Sequence, residues 1–380
     1  MKISGDWLAH PGTQRLLQVL GDAGHHAFFV GGCVRNALMS FAVNDVDIAT
    51  DARPETVTKI AESAGFRVIQ TGTAHGTVTV LAAGAAPEVT TFRKDVATDG
   101  RHARVAFTTS IAQDAARRDF TMNALYADAA GNIIDPLGGL TDVLARHVRF
   151  VGDAQARIRE DYLRILRFFR FHAIYGDQSA GIDAEGLAAC AGNADGLNIL
   201  SKERVGAEMR KLLGAPDPAT VISTMAQTGI LARILPGADP MFLGPLVQLE
   251  QGLAPRWQRR LAVIGGQNLL TALALSRQET GSVSRVRASI GNGLSAAGLG
   301  WHLGVTEAID VILCRAAILQ LPLAADWRSQ IERGSRAEMP VKAADLMPVF
   351  SGPALGEKLR QIEQRWLAAD LTLTKAQLLA

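Results

Sequence analysis

Up to Phe150 the sequence reads as short β-prone runs separated by helical stretches. Past that residue a helical pattern occupies 154–173, and nothing as far as residue 380 alternates as a half-buried strand must. Such a chain cannot form one uniform architecture, and it predicts a mixed α/β head over 1–148 followed by an all-helical remainder. At 380 residues it also exceeds the size at which a single core keeps growing, so roughly two to four domains are expected. Turn and linker signals at 176–181, 214–218, 235–240, 291–300 and 339–340 divide the helical part into 149–214, 215–300 and 301–380.

Within the head, residues 27–34 form an apolar β-prone run broken by Gly31-Gly32, after which Arg35 to Met39 reads as the start of a helix. Further β-like runs fall at 46–48, 67–70, 77–82, 88–92 and 124–127, with a helix over 55–64.

The densest chemical signal is Gly31-Gly32-Cys33-Val34-Arg35-Asn36 followed by Asp45-Val46-Asp47-Ile48. On a strand, residues two apart share a face, so Asp45 and Asp47 can present both carboxylates to metal. Hard oxygen donors suit magnesium, and a pair of ions serves phosphoryl transfer. The Gly-Gly turn offers backbone amides to an anion, and Arg35 adds a planar fork matched to phosphate oxygens. The bland alternative is that Asp-x-Asp ends a surface strand. Glu88, at the start of the 88–92 run, is a candidate third carboxylate; a surface glutamate or an ion pair with Arg93 would read the same way.

Two later stretches carry charge in suggestive order. Arg117-Arg118-Asp119 sets two cations beside a carboxylate, either for a triphosphate and a ribose hydroxyl or as a structural ion pair. An every-third spacing places Asp161, Arg164, Arg167 and Arg170 in a slow spiral around one helix, with Leu163, Leu166 and Phe169 as its apolar contacts. Acceptor and donors together could read a base edge, or simply lace an exposed helix with ion pairs.

Gly31-Gly32-x-x-Arg35 with Asp45-x-Asp47 resembles the active-site motif of polymerase-β-like nucleotidyltransferases. Residues 117–124 and 160–167 resemble two further motifs of class II CCA-adding tRNA nucleotidyltransferases, as do the stretches 71–79, 135–139 and 203–213. The resemblance implies an α/β catalytic head, a helical neck that reads the base, and a helical body and tail that bind tRNA. It implies two magnesium ions on Asp45 and Asp47, and template-independent addition of CCA from CTP and ATP with release of pyrophosphate. Gly31, Gly32 and Arg35 would serve the nucleotide, Arg118 its phosphates and Asp119 its sugar. Asp161 and Arg164 would pair with the base edge, with Arg167 and Arg170 contacting the nucleotide. His75 reads as a loop or core histidine. Asn36 stands where an aspartate often follows the arginine, and 94–101, with Asp95, Asp99, Gly100 and Arg101, reads as a compact version of the family's flexible loop. A CC-only enzyme, a bacterial poly(A) polymerase or a non-catalytic RNA-binding relative are the rivals. Gly72-Thr73-Ala74-His75-Gly76 lacks the basic segment of the poly(A) enzymes.

Bulk composition adds little: the net charge is +2. Between 251 and 300, however, six arginines (Arg256, Arg259, Arg260, Arg277, Arg285, Arg287) face only Glu279. That stretch could track a phosphate backbone or form a solvated helix face. Cys33, Cys190 and Cys314 are too widely spaced for a disulfide framework or cysteine-type zinc site. No run approaches the roughly 18 to 20 apolar residues that span a bilayer. A soluble, cytoplasmic protein is expected, with no metal-dependent phosphohydrolase activity, since no His-Asp dipeptide occurs.

Overall fold

The computed structural model describes residues 1–72, 76–98, 103–347 and 349–380; His75, Asp99, Gly100 and Arg101 lie outside the described residues, as does the side chain of Asp95. The chain forms two compact units, Met1–Ser201 and Lys202–Ala380.

The first unit is built on helix α1 (Pro11–Asp22), β1 (Ala27–Val30), α2 (Gly32–Leu38), β2 (Asp47–Thr50), α3 (Pro54–Ser63), β3 (Arg67–Gly72), β4 (Thr77–Leu81) and β5 (Glu88–Thr91). A ribbon of β6 (Arg93–Thr98) and β7 (Ala103–Phe107), helix α4 (Ile111–Ala116), β8 (Tyr126–Ala127), β9 (Ile133–Ile134) and α5 (Leu140–Leu144) follow. The unit closes with α6 (Ala154–Glu160), α7 (Leu163–Tyr175) and α8 (Ala184–Gly192). Seven strands form one mixed sheet in the order β3-β4-β5-β2-β1-β8-β9. Here β1 runs antiparallel to both β2 and β8, while β2 and β5 are parallel with Asp47 beside Glu88.

Local sequence accounts for these elements. In β4, Val78 and Val80 are buried while Thr77 and Thr79 are half-exposed, the period-two signature of a strand with one wet face. Proline opens both α1 and α3, where its missing N–H costs nothing. Leu16 and Leu20 of α1, and Val57 and Ala61 of α3, are buried at the four-residue spacing of an inward helix face.

Three expectations need correction. Residues 154–173 are two helices, because Asp161 leaves the helical path at φ −155°, ψ 105°. Its side chain accepts from the Leu163 N–H at 3.1 Å and its carbonyl from the Arg164 N–H at 3.0 Å, so it serves the start of α7 in place of continuing α6. The spiral spacing therefore holds for Arg164, Arg167 and Arg170 but not for Asp161. Strand β2 begins only at Asp47, leaving Asp45 in the preceding loop, so strand alternation does not relate the two carboxylates. Finally, 94–101 is in part strand: residues 94–98 belong to β6, which pairs antiparallel with β7, a pairing that so polar a run does not announce.

The second unit is helical among its described residues, apart from an isolated bridge between Ala238 and Gly265. Its first helix, α9 (Lys202–Leu213), packs so tightly that a Cβ on Gly206 would lie 1.8 Å from the Leu273 carbonyl oxygen. Trp366, buried among Val341, Leu346, Ile362 and Leu378, anchors a separate cluster near the C-terminus. No helix among the described residues is long and apolar enough to cross a membrane.

The arginine-rich stretch turns inward. Arg259 and Arg260 are 3% and 1% exposed. Arg259 lies 2.9 Å from Asp310 and 3.0 Å from Glu250, Arg260 lies 2.7 Å from Glu250, and Arg256 reaches Asp310 at 2.6 Å. Arg260 also donates to the carbonyls of Leu213, Ala215 and Pro216. Arg285 pairs with Glu307, and Arg287 donates to the Gly266 carbonyl. The local excess of arginine is thus largely neutralised by Glu250, Glu307 and Asp310, all three of which lie outside residues 251–300. Arg260→Ala should cost about 3 kcal/mol, since it strips one oxygen of the buried Glu250 carboxylate of two charged donors. Urea unfolding checks this, and a change below about 1 kcal/mol would show the network to be dispensable.

Candidate active site

Four pieces of the first unit converge: the β1–α2 turn, the start of β2, the segment from α4 to the short 3-10 turn Thr121–Asn123, and α7. At the turn, Gly31 has φ +70°, and a Cβ there would lie 3.2 Å from Arg118 Nη1, so glycine answers both a backbone and a space requirement. Gly32 opens α2, which starts three residues before Arg35.

Asp45, Asp47 and Glu88 line one pocket of 470 Å3 together with Asn44, Val46 and the 84–87 turn. Asp45 and Glu88 are exposed and Asp47 half-buried. Burial, then the neighbouring Glu88 carboxylate and more weakly Asp45, raise the Asp47 carboxyl above its ordinary range against the pull of Arg118. A half-buried carboxylate in a surplus of like charge is the electrostatic complement of a cation. Oxygen-only donors fit a hard divalent ion. Among the described residues, however, no three carboxylate, histidine or cysteine side chains are grouped so as to hold a metal ion. The oxygen donors that the pocket offers are those of Asp45 and Asp47, with Glu88 beside Asp47 in register on β5. Beneath them the buried Cys33 thiol donates to the Asp47 carbonyl at 3.8 Å, tying α2 to the strand end, and burial pushes that thiol up to about 11.

Arg118 is held by a residue that sequence reasoning passed over. Asp114, fully buried on α4, pairs with Arg118 at 3.0 Å and Arg117 at 2.8 Å, and accepts from the Tyr126 hydroxyl at 2.7 Å. Burial opposes charge on Arg118, but Tyr126 and Asp114 more than offset it and raise its pKa. The three- and four-residue spacings from Asp114 to the two arginines were the available signal. The structural-pair reading of Arg117-Arg118-Asp119 is accordingly met with a different carboxylate: the arginines use Asp114.

Asp119 faces elsewhere. One oxygen accepts from the Phe120 N–H at 2.9 Å and the Asn123 amide at 2.8 Å, while the other takes Arg167 Nε at 2.8 Å and also its Nη2. Burial would raise this carboxyl, but Arg167, Asn123 and the Phe120 amide bring it down to about 2. It stands as the ionised partner of Arg167 with both oxygens engaged.

Two expected ligands are likewise engaged within the protein. Arg35 does not present the open fork expected of a phosphate ligand. It is 6% exposed, donates to Asn123, Asn36 and Tyr175, and lies over the rings of Tyr175 and Phe171 at 4.1 and 5.2 Å. Arg164 donates to Glu160 and to the carbonyls of Arg157 and Arg117 at 2.8 and 3.3 Å. Arg170 is buried, with its guanidinium 4.7 Å from the Phe171 ring centre. Asn123 and Tyr175, both part of this fabric, had not been singled out in the sequence.

Residues 27–149 match the model of the poly A polymerase head domain, and 181–242 match that of a probable RNA and SrmB-binding site of polymerase A. The CCA-adding enzyme of Lacticaseibacillus paracasei is 33% identical over 374 residues, covering 94% of this chain and 92% of that protein. The mitochondrial CCA tRNA nucleotidyltransferase 1 of Mus musculus is 41% identical over 224 residues, and the match with it spans only about half that relative's length, 52%. A crystal structure of the Bacillus stearothermophilus CCA-adding enzyme in complex with CTP superposes with a TM-score of 0.70 at 31% identity, covering 94% of this chain and 93% of that one. With a similarity that runs nearly end to end through both proteins, the chain belongs to the family of the CCA-adding tRNA nucleotidyltransferases.

Proposed function

We propose that this chain adds CCA to the 3′ end of tRNA, joining CMP twice and AMP once from CTP and ATP without a template and releasing pyrophosphate each time. The observation that carries the reading is the near end-to-end similarity to CCA-adding enzymes, borne on a head whose aspartates share one pocket. Free, buried Cys33, Cys190 and Cys314 suit a cytoplasmic setting.

Asp45 and Asp47 would hold magnesium, as a pair of ions. When bound, such ions make the terminal hydroxyl of tRNA a better nucleophile and take up charge on the phosphates. Arg118, aligned by Asp114 and set beside Gly31, faces the triphosphate as a fixed cation, so charge developing in the transition state meets an already oriented donor. Asp119 orients Arg167 toward the same nucleotide, and a ribose hydroxyl would reach Asp119 by sharing an oxygen already in use. Asp161 and Arg164 read the base edge. Glu160 holds the Arg164 guanidinium meanwhile, so base reading exchanges one ion-pair contact for another. Arg170, behind Phe171, supports this face of α7.

Incorporation of each labelled nucleotide into transcripts ending before CCA, after C and after CC tests the reading. CMP, CMP and a single AMP are expected; a stop after CC or a long adenosine ladder would overturn it in favour of the CC-only or poly(A) enzyme. Asp45→Ala should abolish incorporation while tRNA binding persists, and retained turnover would remove the metal assignment.

The raised Asp47 carboxyl makes a prediction independent of turnover. A group whose folded pKa exceeds its unfolded value contributes stability that is present below the unfolded value and lost as pH rises through the folded one. Without metal, Asp47→Asn should therefore melt above the wild type at pH 7 and lose that advantage below the ordinary carboxylate range. Magnesium should raise the melting midpoint of the wild type more than that of Asp47→Asn. Equal magnesium shifts in thermal melts of the two proteins would contradict the site.

A further inference from the structure

The Arg35 guanidinium is enclosed in a way that the proposed chemistry does not by itself require. Tyr175, in the last turn of α7, offers it both an acceptor and a ring: Nη2 donates to the hydroxyl at 2.9 Å while the guanidinium lies 4.1 Å from the ring centre. Phe41 braces the same ring edge-on at 5.4 Å, and Phe171 lies next to Tyr175, 5.2 Å from the guanidinium and 5.3 Å from the Tyr175 ring. Nη1 donates to Asn123, whose amide donates to Asp119, which pairs with Arg167 on α7. Two routes thus join α2 to α7, one through Tyr175 and one through Asn123 and Asp119, with Arg35 common to both.

What Arg35 fixes on the other side is the site itself. Its backbone N–H donates to the Gly31 carbonyl at 2.9 Å, closing the first turn of α2. That turn sets Gly31 against Arg118 and carries Cys33, whose thiol donates to the Asp47 carbonyl. The Nε of Arg35 is buried without a hydrogen-bond partner, so the group is held by its ends and by ring stacking, not by a complete set of bonds.

We propose that Tyr175 is a positioning residue for nucleotidyl transfer: through Arg35 it sets the Gly31–Gly32 turn and the Asp47 strand end relative to the nucleotide-facing helix α7. The proposal rests on the transferase reading above. Tyr175 touches no substrate in it and acts only by holding Arg35 in register. A small displacement of reacting groups is enough to cost a large factor in rate.

The test measures kcat and KM for CTP, with magnesium and a tRNA transcript ending before CCA, well below each variant's melting midpoint. Tyr175→Leu should lower kcat ~10-fold or more with KM for CTP changed less than ~3-fold, and Tyr175→Phe, which keeps the ring, should fall between it and the wild type. Because Tyr175 acts through Arg35, the double variant with Arg35→Lys should be no slower than Arg35→Lys alone. Wild-type kcat in Tyr175→Leu, or losses that multiply in the double variant, would overturn the proposal. Should the wild type incorporate no nucleotide at all, the transferase reading falls, and hydrogen exchange still decides the coupling. Amides of Gly32–Leu38 exchanging ~10-fold faster in Tyr175→Leu would uphold it, and unchanged exchange there would end it.

Discussion

The largely enclosed carboxylate of Asp119 is the contact on which the first unit depends. Its Oδ1 takes the Phe120 amide and Asn123, its Oδ2 takes Arg167, and its carbonyl accepts from the Val151 N–H at 3.0 Å. One residue thereby joins the segment leading into β8, the strand-like stretch before α6, and α7. Around it Phe120, Phe150, Phe168 and Phe171 pack with ring centres 4.8 to 6.3 Å apart, which supplies the apolar surroundings that make an ion pair so sensitive to its geometry. Burial raises the cost of the charge, and the four donors offset it. Removing any one of them leaves the remainder charged in a poorly solvated place.

Much of the first unit was legible because its signals are local. The strand–glycine turn–helix at 27–38 follows from an apolar run, two glycines and a helix start, and Val78 and Val80 display their strand by alternation. What was not legible depended on competition or on partners distant in sequence. Asp161 has ordinary helical neighbours, and only its side chain's preference for the Leu163 amide splits the pattern into α6 and α7. The β6–β7 ribbon draws its order from pairing with a strand five residues away, not from hydrophobic periodicity.

Arginine was the residue type most open to misreading. In the sequence Arg35 and Arg256 to Arg287 look like phosphate ligands because their counter-charges are not nearby in the chain. The fold supplies their partners: Asp310 lies 51 residues from Arg259, and Arg35 meets neutral groups, among them rings from α7, 140 residues on in the case of Tyr175. A guanidinium is weakly hydrated and offers five donors in a plane, so it can be buried where a lysine could not. Its presence in a sequence thus marks a demand for planar, multiple hydrogen bonding and leaves open whether that demand is met by a ligand or by the protein's own interior.

The electrostatics of the site follow a division of labour. On the β2 side, Asp45, Asp47 and Glu88 stand together with a surplus of negative charge that Arg118 opposes at Asp47. On the α7 side, two guanidinium groups already have a carboxylate: Arg167 has Asp119 and Arg164 has Glu160, as Arg118 has Asp114. On the proposed reading, a nucleotide arriving with its metal would neutralise the acidic side, but at Arg164 and Arg167 it would have to compete with protein carboxylates. Contacts won by exchange contribute little net affinity in the ground state. They would discriminate, because a base whose edge fails to replace the displaced acceptor leaves a half-buried guanidinium short of a partner. On the proposed reading, selectivity without a template would rest on the ion pairs of α7, and affinity on the carboxylates of Asp45, Asp47 and Glu88.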